Sequence, residues 1–108
     1  MNITENELAD KICELLDEKK AINVVKIDLK DLTVVADFFV VASAKSTTAV
    51  KALSEYLDQE LSKLGCPPRR IEGRTEGRWI AADYGTVIVH IFLEETRAFY
   101  QLERLWIR

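Results

Sequence analysis

The side chains best suited to chemistry or recognition lie in the C-terminal third of the chain, residues 72–106. The chain has one histidine, His90, which stands in an apolar run and follows Trp79 and Asp83. An imidazole can act as a general base or bind a metal ion, and an indole can anchor a contact between proteins. Which role is open to them depends on the side chains that the fold brings together.

This segment is typical of a β-hairpin in which Trp79 lies beside His90. Two strand-forming runs, 78–83 and 86–92, meet at Tyr84-Gly85. Glycine readily takes the positive φ that a tight hairpin turn needs, so these two residues are predicted to form the loop. In that register Trp79 faces His90 across the hairpin.

The two faces of the predicted hairpin differ in character. Trp79, Asp83 and His90 share one face, and Tyr84 in the turn extends it. The other face is wholly apolar and is expected to pack against helices. A slip of one residue in the register would exchange the two faces.

A structural role for the same side chains is the competing interpretation. A single histidine in an apolar strand is more often a packed core residue than a ligand or a base, and Trp79 can be a core aromatic. The run Asp83-Tyr84-Gly85 is also explained simply as a set of turn-forming residues. The pattern alone therefore favours the core, and a role in recognition would need independent support.

The residue pattern favours a binding protein over an enzyme. His90 has no cysteine or serine partner in a recognisable catalytic motif, and no metal-ligand spacing is present. Residues 44–46 (Ala-Lys-Ser) stand at a predicted strand-to-helix turn, where phosphates often bind, but they lack glycine and Walker spacing. No catalytic residue, metal site or cofactor is therefore predicted.

The charge distribution argues against a protein whose main function is to bind nucleic acid. The net charge is −3, whereas phosphate binding usually requires a strong basic excess. Acidic residues are concentrated at 4–18 and basic ones at 63–78. Each segment is most simply a solvated surface, although the basic segment can border a binding face. Contact with nucleic acid is expected to be secondary at most.

The cysteines and the hydropathy indicate a reducing, aqueous setting. Cys13 and Cys66 share no redox or metal-binding spacing, and no signal peptide is recognisable. No apolar run is long enough to cross a membrane. A cytoplasmic location without a membrane partner is therefore expected.

Helix and strand patterns alternate along the rest of the chain. The apolar run 37–43 suits a central strand covered on both faces, and the helix after it stops before Pro67-Pro68. The last helix is expected to bury four apolar side chains, namely Phe99, Leu102, Leu105 and Trp106. The predicted elements are helices at 5–20, from about 47 to 65 and from Glu94, and strands at 25–29, 37–43, 70–72, 78–83 and 86–92. The order indicates an α/β fold in a single domain, residues 1–108.

Several separate motifs identify a family resemblance. They are ADFFVVAS at 36–43, Glu72-Gly73, Gly77-x-Trp79, DYG at 83–85, VHIF at 89–92, Glu95, Arg97, Phe99-Tyr100 and LERLW at 102–106. In this order they resemble the ribosomal silencing factor family (RsfS, also called the Iojap family). The resemblance covers nearly the whole chain and is weakest in the first helix.

The resemblance implies a compact α/β domain with a mixed five-stranded sheet flanked by helices. The scaffold is nucleotidyltransferase-like, but strand 86–92 lacks the carboxylates that would hold metal ions. Family members bind the large ribosomal subunit through large-subunit ribosomal protein fourteen, block joining with the small subunit and repress translation under nutrient limitation. Homodimers occur among relatives. A non-enzymatic regulator with at most secondary contact to ribosomal RNA is implied here.

Carried onto this sequence, the family motifs place the partner-binding surface at Trp79, Asp83, Tyr84 and His90, with Glu72 and Arg97 in support. The hairpin register points independently to Trp79, Asp83 and His90 only.

The chain departs from the usual family pattern at three positions, Ala44, Ala49 and Thr86. Thr86 stands where an aspartate is common, which removes a negative charge beside the expected surface. The alternative from another class is a nucleotide-binding or nucleotidyltransferase-like protein on the same scaffold. Stabilisation against heat by a nucleotide would favour that alternative.

Overall fold

The computed structural model describes residues 3–105, which fold as one α/β domain. In chain order the elements are α1 (Glu5–Glu18), β1 (Ile22–Asp28), β2 (Phe38–Ala44), α2 (Thr47–Lys63), β3 (Arg70–Glu72), β4 (Trp79–Asp83), β5 (Val87–Leu93), α3 (Glu94–Tyr100) and a 3₁₀ turn at Leu102–Leu105. The predicted helices and strands are all present, with boundaries that differ by a few residues.

The first helix starts where its capping box predicts. The backbone N–H of Glu7 donates to the Thr4 hydroxyl at 3.1 Å, and the N–H of Thr4 donates to the Glu7 carboxylate at 3.0 Å. These two bonds satisfy donors that the first turn would otherwise leave unpaired. The helix then packs Leu8, Ile12 and Leu16 against the sheet side of the core.

The five strands form one mixed sheet with the order β1-β2-β5-β4-β3. Strand β2 lies inside it, antiparallel to β1 and parallel to β5. All seven residues of β2 are buried, which confirms that the apolar run was a central strand covered on both faces. Within residues 3–105, no helix is long and apolar enough to cross a membrane.

The predicted hairpin register is wrong by two residues. Trp79 pairs with Phe92 instead of His90, and His90 pairs with Ala81. The turn is centred on Gly85 and Thr86, because the N–H of Tyr84 donates to the carbonyl of Val87 at 2.9 Å. Gly85 has φ 90, the positive value that the first central residue of a type II′ turn requires.

The shift by two keeps each strand residue on its predicted face. The apolar face of the hairpin packs under α1 and α2, as expected, in the larger of two core clusters. The prediction that Tyr84 extends the face of Trp79 is wrong, because Tyr84, which follows β4 and pairs with Val87, points to this helix-covered face. It is 8% exposed and does not extend the surface that carries Trp79.

The face of the sheet opposite α1 and α2 holds a smaller cluster around Phe39, Val41 and Phe92. The loop after β1 covers part of it through Leu29 and Ala36, and Leu102 packs at its margin. Strands β3 and β4 are left partly open on this face, with Ala81 half-buried and Glu72 exposed.

The C-terminal helix is shorter than predicted. α3 ends at Tyr100 because Gln101 adopts a left-handed conformation with φ 49, and a 3₁₀ turn follows. The expectation that Phe99 is buried is wrong, since its side chain is 80% exposed. Leu102 is half-buried, whereas the predicted burial of Leu105 and Trp106 concerns side chains outside the described part of the chain.

Candidate functional site

Trp79 is the centre of an aromatic cluster on the sheet face opposite α1 and α2. Its indole Nε1 donates a hydrogen bond to Nδ1 of His90 at 3.0 Å. Its ring stacks on Phe92 with centroids 4.8 Å apart and meets Tyr100 at 5.1 Å. The indole is therefore fixed from below by the sheet and from the side by α3, an arrangement that costs little further entropy when a partner binds.

His90 supports Trp79 from inside the protein. It is 8% exposed and packs edge-on against Phe39 at 4.6 Å. Burial lowers its pKa from the ordinary 6.5 to about 4, so the imidazole is neutral at pH 7. Because Nδ1 accepts the indole hydrogen, the neutral ring carries its own hydrogen on Nε2, which is buried without a partner among residues 3–105. His90 thus positions Trp79 and does not present a charge to solvent.

The burial of His90 makes stability depend on pH in a defined window. As pH falls below 6.5 the unfolded chain takes up the proton first, so the stabilisation is complete above pH 6.5 and is lost as pH approaches 4. We expect the buried imidazole of His90 to lower the free energy of unfolding by about 2 kcal/mol when the pH falls from 7 to 5. Urea unfolding of the wild type and His90→Gln at both pH values measures the difference, and equal losses in the two proteins would refute it.

Glu72 and Asp83 lie on the same face as Trp79. Glu72 pairs with Ala81 across β3 and β4, and a shallow depression of about 320 Å³ between them is lined by Glu72, Gly73, Trp79 and Ala81. Asp83 is half-buried, and its carboxylate accepts the N–H of Gly85 at 2.7 Å. The turn interpretation of Asp83 is therefore confirmed.

A second groove adjoins this face on the α3 side. It has a volume of about 470 Å³ and runs between Trp79, Phe99 and Tyr100, with Glu76 and Glu95 at its margins. Phe99 is 80% exposed and Tyr100 is 55% exposed, and their rings meet at 5.1 Å. We call Trp79, Phe99 and Tyr100 the aromatic surface. Sequence reasoning missed the exposure of Phe99 and Tyr100, although the Phe99-Tyr100 motif was the signal that could have shown it.

Tyr84 and Arg97 lie apart from the aromatic surface. Burial raises the pKa of Tyr84, whose hydroxyl lies near Asp58 and Arg74 on the helix side. The guanidinium of Arg97 donates to the carbonyl of Ile22 at 3.2 Å and to the Ser43 hydroxyl at 3.1 Å. Arg97 therefore ties α3 to the ends of β1 and β2, and the structure does not bring it together with Glu72 or Trp79.

The basic segment 63–78 is partly neutralised by neighbouring carboxylates. Arg70 lies 3.3 Å from Glu72, and Arg74 lies 3.3 Å from Asp58 of α2. Exposed pairs of this kind contribute little stability, but they lower the local positive potential. Within residues 3–105, no group of three or more His, Cys, Asp or Glu side chains could hold a metal ion.

Sequence and structure comparisons point to one family. The family model described as "Ribosomal silencing factor during starvation" matches residues 2–108. A protein of Halalkalibacterium halodurans named ribosomal silencing factor RsfS is 35% identical over 104 residues, covering 96% of this chain and 89% of the relative. A mouse protein named "Mitochondrial assembly of ribosomal large subunit protein 1" is 33% identical over 100 residues, covering 90% of this chain and 44% of that protein.

A solved structure shares the fold. A crystal structure of a protein from Chromobacterium violaceum superposes with a TM-score of 0.93 at 30% identity, covering 96% of this chain and 87% of the other. The match extends over both the sheet and the helices, and so over the elements that position the aromatic surface. The chain therefore belongs to the ribosomal silencing factor family, RsfS.

Proposed function

We propose that the protein is a ribosomal silencing factor that binds the large ribosomal subunit through large-subunit ribosomal protein fourteen. The bound protein then blocks joining with the small subunit and represses translation under nutrient limitation. Support comes from the family membership and from the names of the relatives, one of which refers to the large ribosomal subunit. Such an activity is competition for a surface, so it needs neither a catalytic group nor a cofactor.

The observation that carries the proposal is the exposure of Phe99 and Tyr100 beside a fixed Trp79. Single exposed apolar side chains are common, but contiguous aromatic side chains exposed together mark interaction sites. Trp and Tyr are also the residue types that most often dominate binding energy at protein interfaces. The aromatic surface is therefore proposed as the centre of the contact.

The charges around the aromatic surface suit a basic partner. Asp83 lies on the open part of the sheet, where Glu72 is paired with Arg70, and Glu76 and Glu95 line the adjoining groove. Arg78 is the one basic residue among those that line this groove. Proteins of the ribosome surface are commonly basic because they contact RNA, so acidic margins would speed association and fix orientation.

The other predicted contact residues act through the scaffold in this proposal. His90 holds Trp79, Arg97 anchors α3, and Tyr84 closes the hairpin turn from the core side. Contact of Arg69 or Arg78 with ribosomal RNA would be secondary, and a homodimer stays a prediction for sedimentation measurements. Because subunit joining occurs where ribosomes translate, the proposal also requires a cytoplasmic location.

Co-sedimentation with isolated subunits tests the proposal. The purified protein is centrifuged through sucrose with large subunits, with small subunits, or with neither. We expect it to travel with the large subunit alone, and added free large-subunit ribosomal protein fourteen should release it. Equal binding to both subunits, or binding that the free ribosomal protein does not reduce, would contradict the proposed partner.

A further inference from the structure

A separate groove lies on the helix side of the sheet, away from the aromatic surface. It has a volume of about 560 Å³ and lies between the end of α1 and the side of α2 that runs from Ala49 to Gln59. Sites for small molecules in proteins fall within about 300–1,000 Å³, so this groove is large enough for one. Its apolar floor is built from small and branched side chains, namely Ile22, Ala44, Ala49, Ala52 and Leu53.

Three lysines border this floor. They are Lys19 and Lys20 at the end of α1 and Lys45 at the end of β2, and all three are exposed. None of the three forms an ion pair within the described residues 3–105, whereas Lys11, Lys26 and Lys63 each have a carboxylate partner. In a chain with a net charge of −3, three unpaired ammonium groups around one groove form a local positive site.

The remaining polar groups of the groove are compatible with an anion. Glu55 is the one carboxylate among the residues that line it, so the lysines outnumber the acids. Glu18, which does not line the groove, accepts a hydrogen bond from the Tyr56 hydroxyl at 2.7 Å, and the Lys19 ammonium lies 4.7 Å from the centre of the Tyr56 ring.

We propose that this groove binds a phosphorylated small molecule of nucleotide size. The phosphates would lie among Lys19, Lys20 and Lys45, since lysine ammonium groups bind phosphate as point charges. The flat organic part would lie on the floor formed by Ala44, Ala49 and Leu53. No reaction is implied. The site lies on the opposite side of the sheet from the aromatic surface, so the ligand and the ribosome could be bound at the same time.

Isothermal titration calorimetry with ATP, at physiological ionic strength, tests this site. We expect saturable binding that Lys45→Ala weakens by about tenfold, the loss of one charge-assisted contact. The matched control is Lys63→Ala, which removes the same charge from an exposed position in the last turn of α2 and should leave the affinity unchanged. Ala52→Phe, which fills the floor from an exposed position, should also weaken ATP binding.

Two partial ligands separate the two halves of the proposed site. Adenosine and tripolyphosphate should each bind at least about tenfold more weakly than ATP, because each makes only half of the contacts. If adenosine binds as tightly as ATP, the lysines do not contribute to binding. If tripolyphosphate binds as tightly as ATP, the apolar floor does not contribute. Absence of any saturable heat, or equal effects of Lys45→Ala and Lys63→Ala, would overturn the proposal. None of these outcomes bears on binding to the ribosome.

Discussion

Replacing Phe99 and Tyr100 together with alanine is expected to weaken binding to the large ribosomal subunit by about 100-fold or more. Aromatic side chains at the centre of an interface typically contribute about 2 kcal/mol each on truncation, and 1.4 kcal/mol is a tenfold change in affinity. Both side chains are exposed, and α3 has no buried residue, so the fold should tolerate the change. Co-sedimentation with large subunits over a range of protein concentrations measures the shift.

The loop after β1 offers a matched control for this double substitution. Val34 and Val35 are 103% and 66% exposed, and they lie beyond the other end of β2 from α3. Val34→Ala with Val35→Ala removes exposed apolar surface of a similar kind but should leave subunit binding unchanged. Unaltered binding of the Phe99 and Tyr100 variant, or equal weakening by the control, would show that the aromatic surface is not the contact.

Gly73→Ala is expected to destabilise the fold more than Gly77→Ala or Gly85→Ala, the same change at the two other glycines near the hairpin. A Cβ at Gly73 would overlap the carbonyl oxygen of Trp79, and Gly73 also has φ +88. The left-handed conformation costs about 1–2 kcal/mol for a residue with a Cβ, and overpacking against a backbone atom adds about 1–3 kcal/mol. We therefore expect a loss of about 2–5 kcal/mol in unfolding free energy. Urea unfolding followed by circular dichroism measures it.

Gly85→Ala is the control that isolates the steric clash. Gly85 has nearly the same φ, +90, but the atom nearest to an added Cβ is the flexible Arg69 guanidinium at 3.4 Å. Only the conformational cost of about 1–2 kcal/mol should appear there. If Gly73→Ala and Gly85→Ala destabilise the protein equally, the close approach of Gly73 to Trp79 does not contribute to holding β4 in place.

Local sequence signals predicted the elements of the fold well. The Thr4 and Glu7 capping box set the start of α1, and the uninterrupted apolar run set β2 as an interior strand. Both signals depend only on residues a few positions apart, so they can be recognised without knowledge of the tertiary structure. The mixed five-stranded sheet followed from the family resemblance, and the strand order confirms it.

The turn residues predict the wrong register for the hairpin. The sequence correctly predicts that Gly85 lies in the turn, but a glycine can occupy either central position, and the two choices differ in the pairing of every residue. The structure places Gly85 first in the turn, with its N–H donating to the Asp83 carboxylate, so Tyr84 pairs with Val87 just after β4 instead of lying in the loop. That single difference moved Tyr84 from the predicted contact surface to the core.

The candidate site was predicted in part. Trp79 and His90 were correctly placed on one face, but the hydrogen bond between them joins diagonal neighbours, which no pattern of alternating residues specifies. Phe99 is exposed in the last turn of α3, and the helix ends early because Gln101 adopts a left-handed conformation that the sequence does not signal. The anchoring role of Arg97 depends on contacts with β1 and β2, which lie far from it in sequence.

The measurement that tests the central claim most directly is the joining of ribosomal subunits in the presence of the protein. Purified large subunits are incubated with the wild type, or with the Phe99 and Tyr100 double variant, before small subunits are added and the mixture is separated on a sucrose gradient. The account predicts that the wild type removes the joined-ribosome peak, whereas the variant leaves it intact. A joined-ribosome peak of full height in the presence of saturating wild-type protein would contradict it.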